Sequence, residues 1–242
     1  MFPIKDTIPS RNEPVATFGL IFACTVIFGF ELLLPEELRQ SVIYRFGVVP
    51  IVYQGLKEES LPMIVSTGII PLFSSMFLHA GLLHIVANMW TLWIFGDNVE
   101  DRMGPFRFVI FYLICGLVAG IVHVIFNPNS TIPTIGASGA ISGVMGAYLL
   151  MFPLARIIVM IPILFYPLFF EVPAVFFMGI WAYLQLITGI SSVITYSAHT
   201  GGVAWWAHLG GFACGLVLAP FFDRGKKYRK LEPDEYGIEF GW

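Results

Sequence analysis

Charged residues fall into a few clusters along this chain, and the stretches between them are too long and too apolar for the surface of a soluble domain. Val15 to Leu34 has a single charge, Glu31, and at about 1.5 Å per residue it reaches across roughly 30 Å of hydrocarbon. This predicts span 1, closed by Leu34-Pro35-Glu36-Glu37. No charge occurs from Ser60 to Gly96, but Pro62 and Pro71 predict an irregular first part, with span 2 running from about Leu78 to Phe95. Asp97 to Arg107 reads as a short charged turn. Arg107 and Arg156 bracket 48 uncharged residues interrupted by Asn127-Pro128-Asn129-Ser130, the pattern of a hairpin made of span 3 (Phe106 to Phe126) and span 4 (Gly136 to Met151). Val172 to Phe222 is charge-free for 51 residues. Its turn-rich middle, Ser191-Ser192 to Gly201-Gly202, divides it into span 5 (near Pro173 to Ile190) and span 6 (near Val203 to Phe222).

Two stretches fit no span. Residues 35–60 mix Arg39, Arg45, Lys57 and four glutamates with Val, Ile, Tyr and Phe, as expected of an amphipathic loop at the membrane surface. Between Arg156 and Glu171 only 14 residues separate the charges, and Pro162 and Pro167 interrupt them, so this segment is expected to be an interfacial loop. The expected organisation is an all-α polytopic membrane protein with an N-terminal segment 1–14, a six-helix membrane domain 15–222 and a polar tail 223–242. Composition agrees: 57% hydrophobic and 12% charged, against roughly 45 to 50% and 25% for an ordinary soluble domain.

Charge then orients the bundle. Six spans put both termini on one side, where Lys5, Arg11, Arg102, Arg107, Arg156, Arg224, Lys226, Lys227, Arg229 and Lys230 fall; the other side holds Arg39, Arg45 and Lys57. Ten cations against three predict cytoplasmic termini in a multi-pass protein of the plasma membrane. The N-terminus is not expected to be a cleaved signal peptide. Net charge of −3 offers no basic patch for nucleic acid. Cys24, Cys115 and Cys214 each lie in an apolar run and form neither a disulfide framework nor a metal-ligand pattern.

Within this frame, three polar positions share one depth. Spans 2, 4 and 6 enter the membrane from the outer face, so His84, Ser138 and His208 fall in the first two turns of their helices. A histidine at membrane depth is costly and normally faces a functional interior. Ser138 sits in Ile135-Gly136-Ala137-Ser138-Gly139-Ala140-Ile141-Ser142-Gly143, where the missing side chains at Gly136 and Gly139 would admit a substrate carbonyl, or equally a neighbouring helix. A serine hydroxyl needs a base to become nucleophilic. His208 in span 6, followed by Gly210, Gly211 and Gly215, supplies a base and a helix able to approach closely. His84 and Asn88, spaced i, i+4, share one face of span 2 and could donate to an oxyanion together with the Ser138 amide; an interhelical hydrogen-bond clamp is the alternative for this pair. A metal site from His79, His84 and His208 is a rival, but no Asp, Glu or Cys joins them at ligand spacing. His123 and His199 read as interfacial, and no acid in spans 4 or 6 completes a Ser-His-Asp triad.

These residues resemble the rhomboid family of intramembrane serine proteases over nearly the whole chain, from about Pro9 to Asp223. The resemblance rests on His79 with His84 and Asn88, on Gly136-Ala137-Ser138-Gly139, and on His208 with Gly211-Phe212 and Gly215. It implies a six-helix rhomboid bundle in which Ser138 is the nucleophile and His208 the base, with His84, Asn88 and the Ser138 amide as oxyanion donors and His79, Gly136 and Gly139 in support. It also implies transmembrane helices of other proteins as substrates, cut near the outer boundary of the bilayer, and no cofactor. The family's Glu/Arg turn after the second span has its counterpart in Glu100 and Arg102, which are expected to brace structure. Two departures are visible. Arg45 follows Tyr44 where many members have a Trp-Arg pair, and Ser142 stands where some carry an aromatic ring that stacks on the histidine.

The other function classes are a non-catalytic relative that binds and escorts membrane proteins, and a small transporter. Retention of Ser138 and His208 opposes the first; the second would be expected to show inverted repeats or intramembrane carboxylates, and neither is visible as a pattern. Span 5, opened by Pro173 and followed by an uncharged Ser, Thr and Gly-rich loop, is the expected lateral gate, with Gln185 and Thr188 near its outer end and Leu186 on its inner face.

Overall fold

The computed structural model describes residues 2–163, 166–194 and 204–224. The chain opens with β1 (Phe2–Asp6), then α1 (Val15–Leu33) and α2 (Glu36–Phe46). Short helical turns lead into α3 (Leu61–Met63), a wider π turn over Ile64–Ile69, and α4 (Ile70–Ser74). There follow α5 (Leu82–Met103), α6 (Pro105–Phe126), α7 (Ser138–Met151), strands β2 (Arg156–Ile163) and β3 (Tyr166–Pro173), α8 (Ala174–Ile194) and α9 (Trp205–Phe222).

Among the described residues four helices are long and apolar enough to cross a membrane: α1, α6, α8 and α9. The Leu61–Phe77 stretch and α5 qualify together, bent by 80° between them. The break lies where an extended Leu78 ends the first helical stretch and an extended Gly81 precedes α5. With 14 residues, α7 is about 21 Å long and shorter than a bilayer core. Its inner turns are almost wholly buried, which makes it the central post of the bundle; the non-helical chain before it is tolerated because protein surrounds it.

Two expectations are corrected. The charged stretch 97–107 is not a turn: α5 runs on to Met103, and Gly104, with φ of 79°, alone makes the corner into α6. The helix continues because its carboxylates have partners. Glu100 accepts the Ala16 N–H (2.9 Å), the Thr17 N–H (2.7 Å) and the Thr17 hydroxyl (2.8 Å), so it caps α1 from a neighbouring helix. Arg102 pairs with Asp223 at the end of α9.

The second correction concerns 156–171, which is a β-hairpin and not the loop expected there. β2 pairs antiparallel with both β3 and β1, in the order β1-β2-β3. β1 runs along α5, since Asp6 bonds Asn98 (2.9 Å) while the Pro3 carbonyl takes the Trp90 indole N–H eight residues away (2.7 Å). Tyr148, from the far end of α7, donates to the same Asp6 oxygen at 2.5 Å. The strand edge of β3 carries Pro167 and Pro173, which lack donors and suit an edge position.

Candidate active site

Ser138 is the first residue of α7, and the chain before it is pinned from three directions. Val48 and Thr134 exchange backbone hydrogen bonds (3.0 and 2.8 Å), the Gly136 N–H reaches the Ser75 carbonyl (2.8 Å), and His123 Nε2 bonds the Thr134 hydroxyl (2.8 Å). His123 is therefore buried and structural, not interfacial as expected. Gly136 has φ of 125°, and a Cβ there would lie 2.8 Å from His84 Nε2 and 3.8 Å from Ser138 Oγ. The small space left by this glycine is thus lined by the imidazole on one side and the hydroxyl on the other. No side chain caps α7, and its first intrahelical bond is Ile141 N–H to the Ala137 carbonyl. The amides of Ser138, Gly139 and Ala140 have no intrahelical acceptor, and the positive end of the helix dipole lies there.

The helices α7 and α9 meet backbone to backbone. A Cβ on Gly211 would be 2.0 Å from the Gly139 carbonyl oxygen, one on Gly215 2.0 Å from that of Gly143, and one on Gly146 2.3 Å from that of Phe212. Any side chain at these positions would hold the helices apart. Across this seam His208 Nε2 lies 2.8 Å from Ser138 Oγ. The two residues are 70 positions apart in the chain.

His208 has a second partner that the sequence reading missed. Its Nδ1 lies 2.8 Å from Oε1 of Gln185 on α8. An amide oxygen only accepts, so Nδ1 carries the proton and Nε2 presents its lone pair to the serine hydroxyl. The ring is also flanked by Trp181 (centroids 6.2 Å) and Trp205 (6.4 Å). Ser142 donates to the Ser138 carbonyl at 2.7 Å.

On α5, the Ala80 N–H donates to His84 Nδ1 (3.3 Å), which leaves the proton on Nε2, facing the Gly136 space. Asn88 gives one amide hydrogen to the His84 carbonyl (2.8 Å) and keeps the other. His79 is 1% exposed, with its ring edge-on to His84 at 5.3 Å and neither ring nitrogen bonded. Its backbone N–H donates to Glu31 (3.3 Å), a buried carboxylate of α1. Among the described residues no three His, Cys, Asp or Glu side chains are grouped so as to hold a metal ion. His199 lies outside the described residues, and Leu186 is 41% exposed, so it faces out of the bundle and not inward as expected.

Comparison with known proteins matches residues 66–224 to the rhomboid domain. The chain is 42% identical over 78 residues to the "RHOMBOID-like protein 6, mitochondrial" of Arabidopsis thaliana, covering 32% of this chain and 25% of that protein. It is 39% identical over 95 residues to the "Rhomboid protease GluP" of Bacillus subtilis, covering 39% and 18%. Identity to the "Rhomboid protein 1, mitochondrial" of Saccharomyces cerevisiae is 27% over 178 residues, covering 69% and 46%. The chain thus spans less than half the length of each of these relatives. With the domain match covering more than half of the chain and apolar helices enough for several crossings, this protein is a multi-pass membrane protein of the rhomboid family.

Proposed function

We propose that this protein is an intramembrane serine endopeptidase that cuts transmembrane segments of other membrane proteins. The observation that carries the reading is the 2.8 Å contact between Ser138 Oγ and His208 Nε2, made across two helices whose approach only glycine permits. Ser138 attacks the scissile carbonyl carbon while His208 Nε2 takes its proton; the same proton then goes to the leaving amine nitrogen. Water, deprotonated by His208, attacks the acyl-enzyme and returns Ser138 to its hydroxyl form. The oxyanion formed in each half is met by the Ser138 N–H, the Nε2–H of His84 and the free amide hydrogen of Asn88. The B. subtilis relative, whose name is that of a protease, supports the same reading.

The organisation goes with it: a six-span membrane domain over 15–222, flanked by an N-terminal segment and a polar tail, in the plasma membrane with both termini cytoplasmic. The site then opens near the outer boundary of the bilayer, and substrate enters laterally beside α8. Purified protein in liposomes with a single-span reporter tests the assignment. Wild type is expected to release two fragments, and Ser138→Ala none. Undiminished cleavage by the variant rules the assignment out.

A further inference from the structure

We infer that Gln185 is a positioning residue for His208 and that, because it is carried on α8, it links the closure of that helix to the reactivity of Ser138. The inference rests on the serine-hydrolase reading for its consequence, but its structural content stands on hydrogen bonds already described.

His208 is held from two sides by unequal means. Toward α7 the glycine contacts fix the distance between the two backbones, and nothing about that distance depends on α8. The rotation of the imidazole and the location of its proton are a different matter. They are set by the Nδ1–H bond to Gln185, whose side chain is 8% exposed, and by the indole of Trp181 one turn earlier on the same helix. Trp181 also packs on Phe212 of α9 at 5.6 Å. The inner face of α8 is therefore a receptor for His208.

The rest of α8 is held weakly. Of its most apolar 18-residue window, 22% is buried, against 33% for α9 and 39% for α6. Ile180, Tyr183, Leu184, Ile187 and Ile190 all face outward. A smaller share of this helix is buried than of α1, α6 or α9, and moving it aside takes Gln185 with it. Nδ1 then loses its acceptor, the tautomer with the proton on Nε2 becomes accessible, and that tautomer cannot accept from Ser138. Substrate admission and full basicity of His208 therefore belong to different positions of α8, so the dyad becomes competent only once the helix has closed on whatever has entered.

Two readouts separate this from a packing role and from failure of the protease reading. Nitrogen NMR of protein carrying ¹⁵N-histidine reads the tautomer of His208 without any chemistry: wild type and Gln185→Glu should show Nδ1 protonated, and Gln185→Leu a mixture. The rate at which a small fluorophosphonate labels Ser138 in detergent, which needs no lateral opening, should fall about 10²-fold in Gln185→Leu, within the span of general-base effects. Gln185→Glu, which keeps the acceptor, should restore most of it. An unchanged tautomer and labelling rate in Gln185→Leu overturn the inference, as does a loss that Gln185→Glu fails to restore. A locked tautomer with no labelling at Ser138 even in wild type overturns the protease reading and leaves the positioning role standing.

Discussion

The two ends of this bundle use polar residues in opposite ways. At the end where the chain starts and α9 stops, the buried carboxylates Asp6 and Glu100 are well supplied with donors. Asp6 takes two donors on one oxygen, Glu100 takes three, and Arg102 is paired with Asp223 and lies over the ring of Phe152. At the end that holds Ser138, valences are left open: the first amides of α7, one hydrogen of Asn88, both ring nitrogens of His79 and one oxygen of Glu31. A buried polar group without a partner costs on the order of 1–3 kcal/mol, so an end that tolerates several is one where stability has been set aside for something else. The saturated end braces the helices; the unsaturated end has the groups a reaction needs.

The sharpest way to break this comparison is to damage the seam that joins the two. Gly211→Ala places a methyl where the Gly139 carbonyl oxygen sits, and overpacking of this kind costs about 1–3 kcal/mol. Both thermal stability in detergent and labelling of Ser138 are expected to collapse together. If activity survives at full stability, the seam is not what sets the distance.

Next in size are changes confined to the unsaturated end, which should remove activity and leave the fold alone. His208→Ala should lower cleavage by about 10⁴ or more, and Asn88→Ala by about 10² or less, since one oxyanion donor is typically worth on the order of 10² to 10³ and two others remain. Equal, small losses from both, measured as kcat on a reporter helix, would favour a helix clamp over an oxyanion site.

The mirror experiment is Glu100→Ala at the saturated end. It leaves two N–H groups and a hydroxyl of α1 without acceptors, and should cost about 1–3 kcal/mol in unfolding free energy with the labelling rate of the folded protein unchanged. A labelling loss larger than the stability loss would erase the division between the two ends.

The smallest expected effect is a pH dependence at the strand. Burial pushes the Asp6 carboxyl up from 3.8 to about 7; the Tyr148 hydroxyl opposes this, Asp97 adds to it, and Lys5 opposes it weakly. The folded protein holds a proton that the unfolded chain releases, so this contribution is full below about pH 4 and is lost as pH rises through about 7. Amide exchange at residues 2–6 should quicken between pH 5 and 8 beyond its intrinsic rise, an excess that Asp6→Asn removes.

Much of this was legible in the chain. The helices α1 and α6 begin and end within one residue of the spans expected for them, because charge and turn residues at a membrane boundary are strong signals. Histidine at membrane depth marked His84 and His208 for the same reason. The sheet was not legible, since β2 finds β1 some 150 residues away and a short apolar run with two prolines carries no sign of so distant a partner. In sequence Gln185 is only a polar residue near the end of a span. In a helix apolar on nearly every side, spacing does not say which face is inside, and the inward expectation for its neighbour Leu186 fails for want of that information. The extension of α5 to Met103 was hidden by its charges, which look like a turn until their acceptors and donors on α1 and α9 are known.

The central claim is that Ser138 is a nucleophile activated by His208, and the most direct measurement is the position of a covalent adduct. Detergent-solubilised protein treated with a fluorophosphonate, digested and read by mass spectrometry, should carry the label on Ser138 alone, and His208→Ala should abolish it. Label on Ser142, or labelling of Ser138 that persists without His208, would contradict the account.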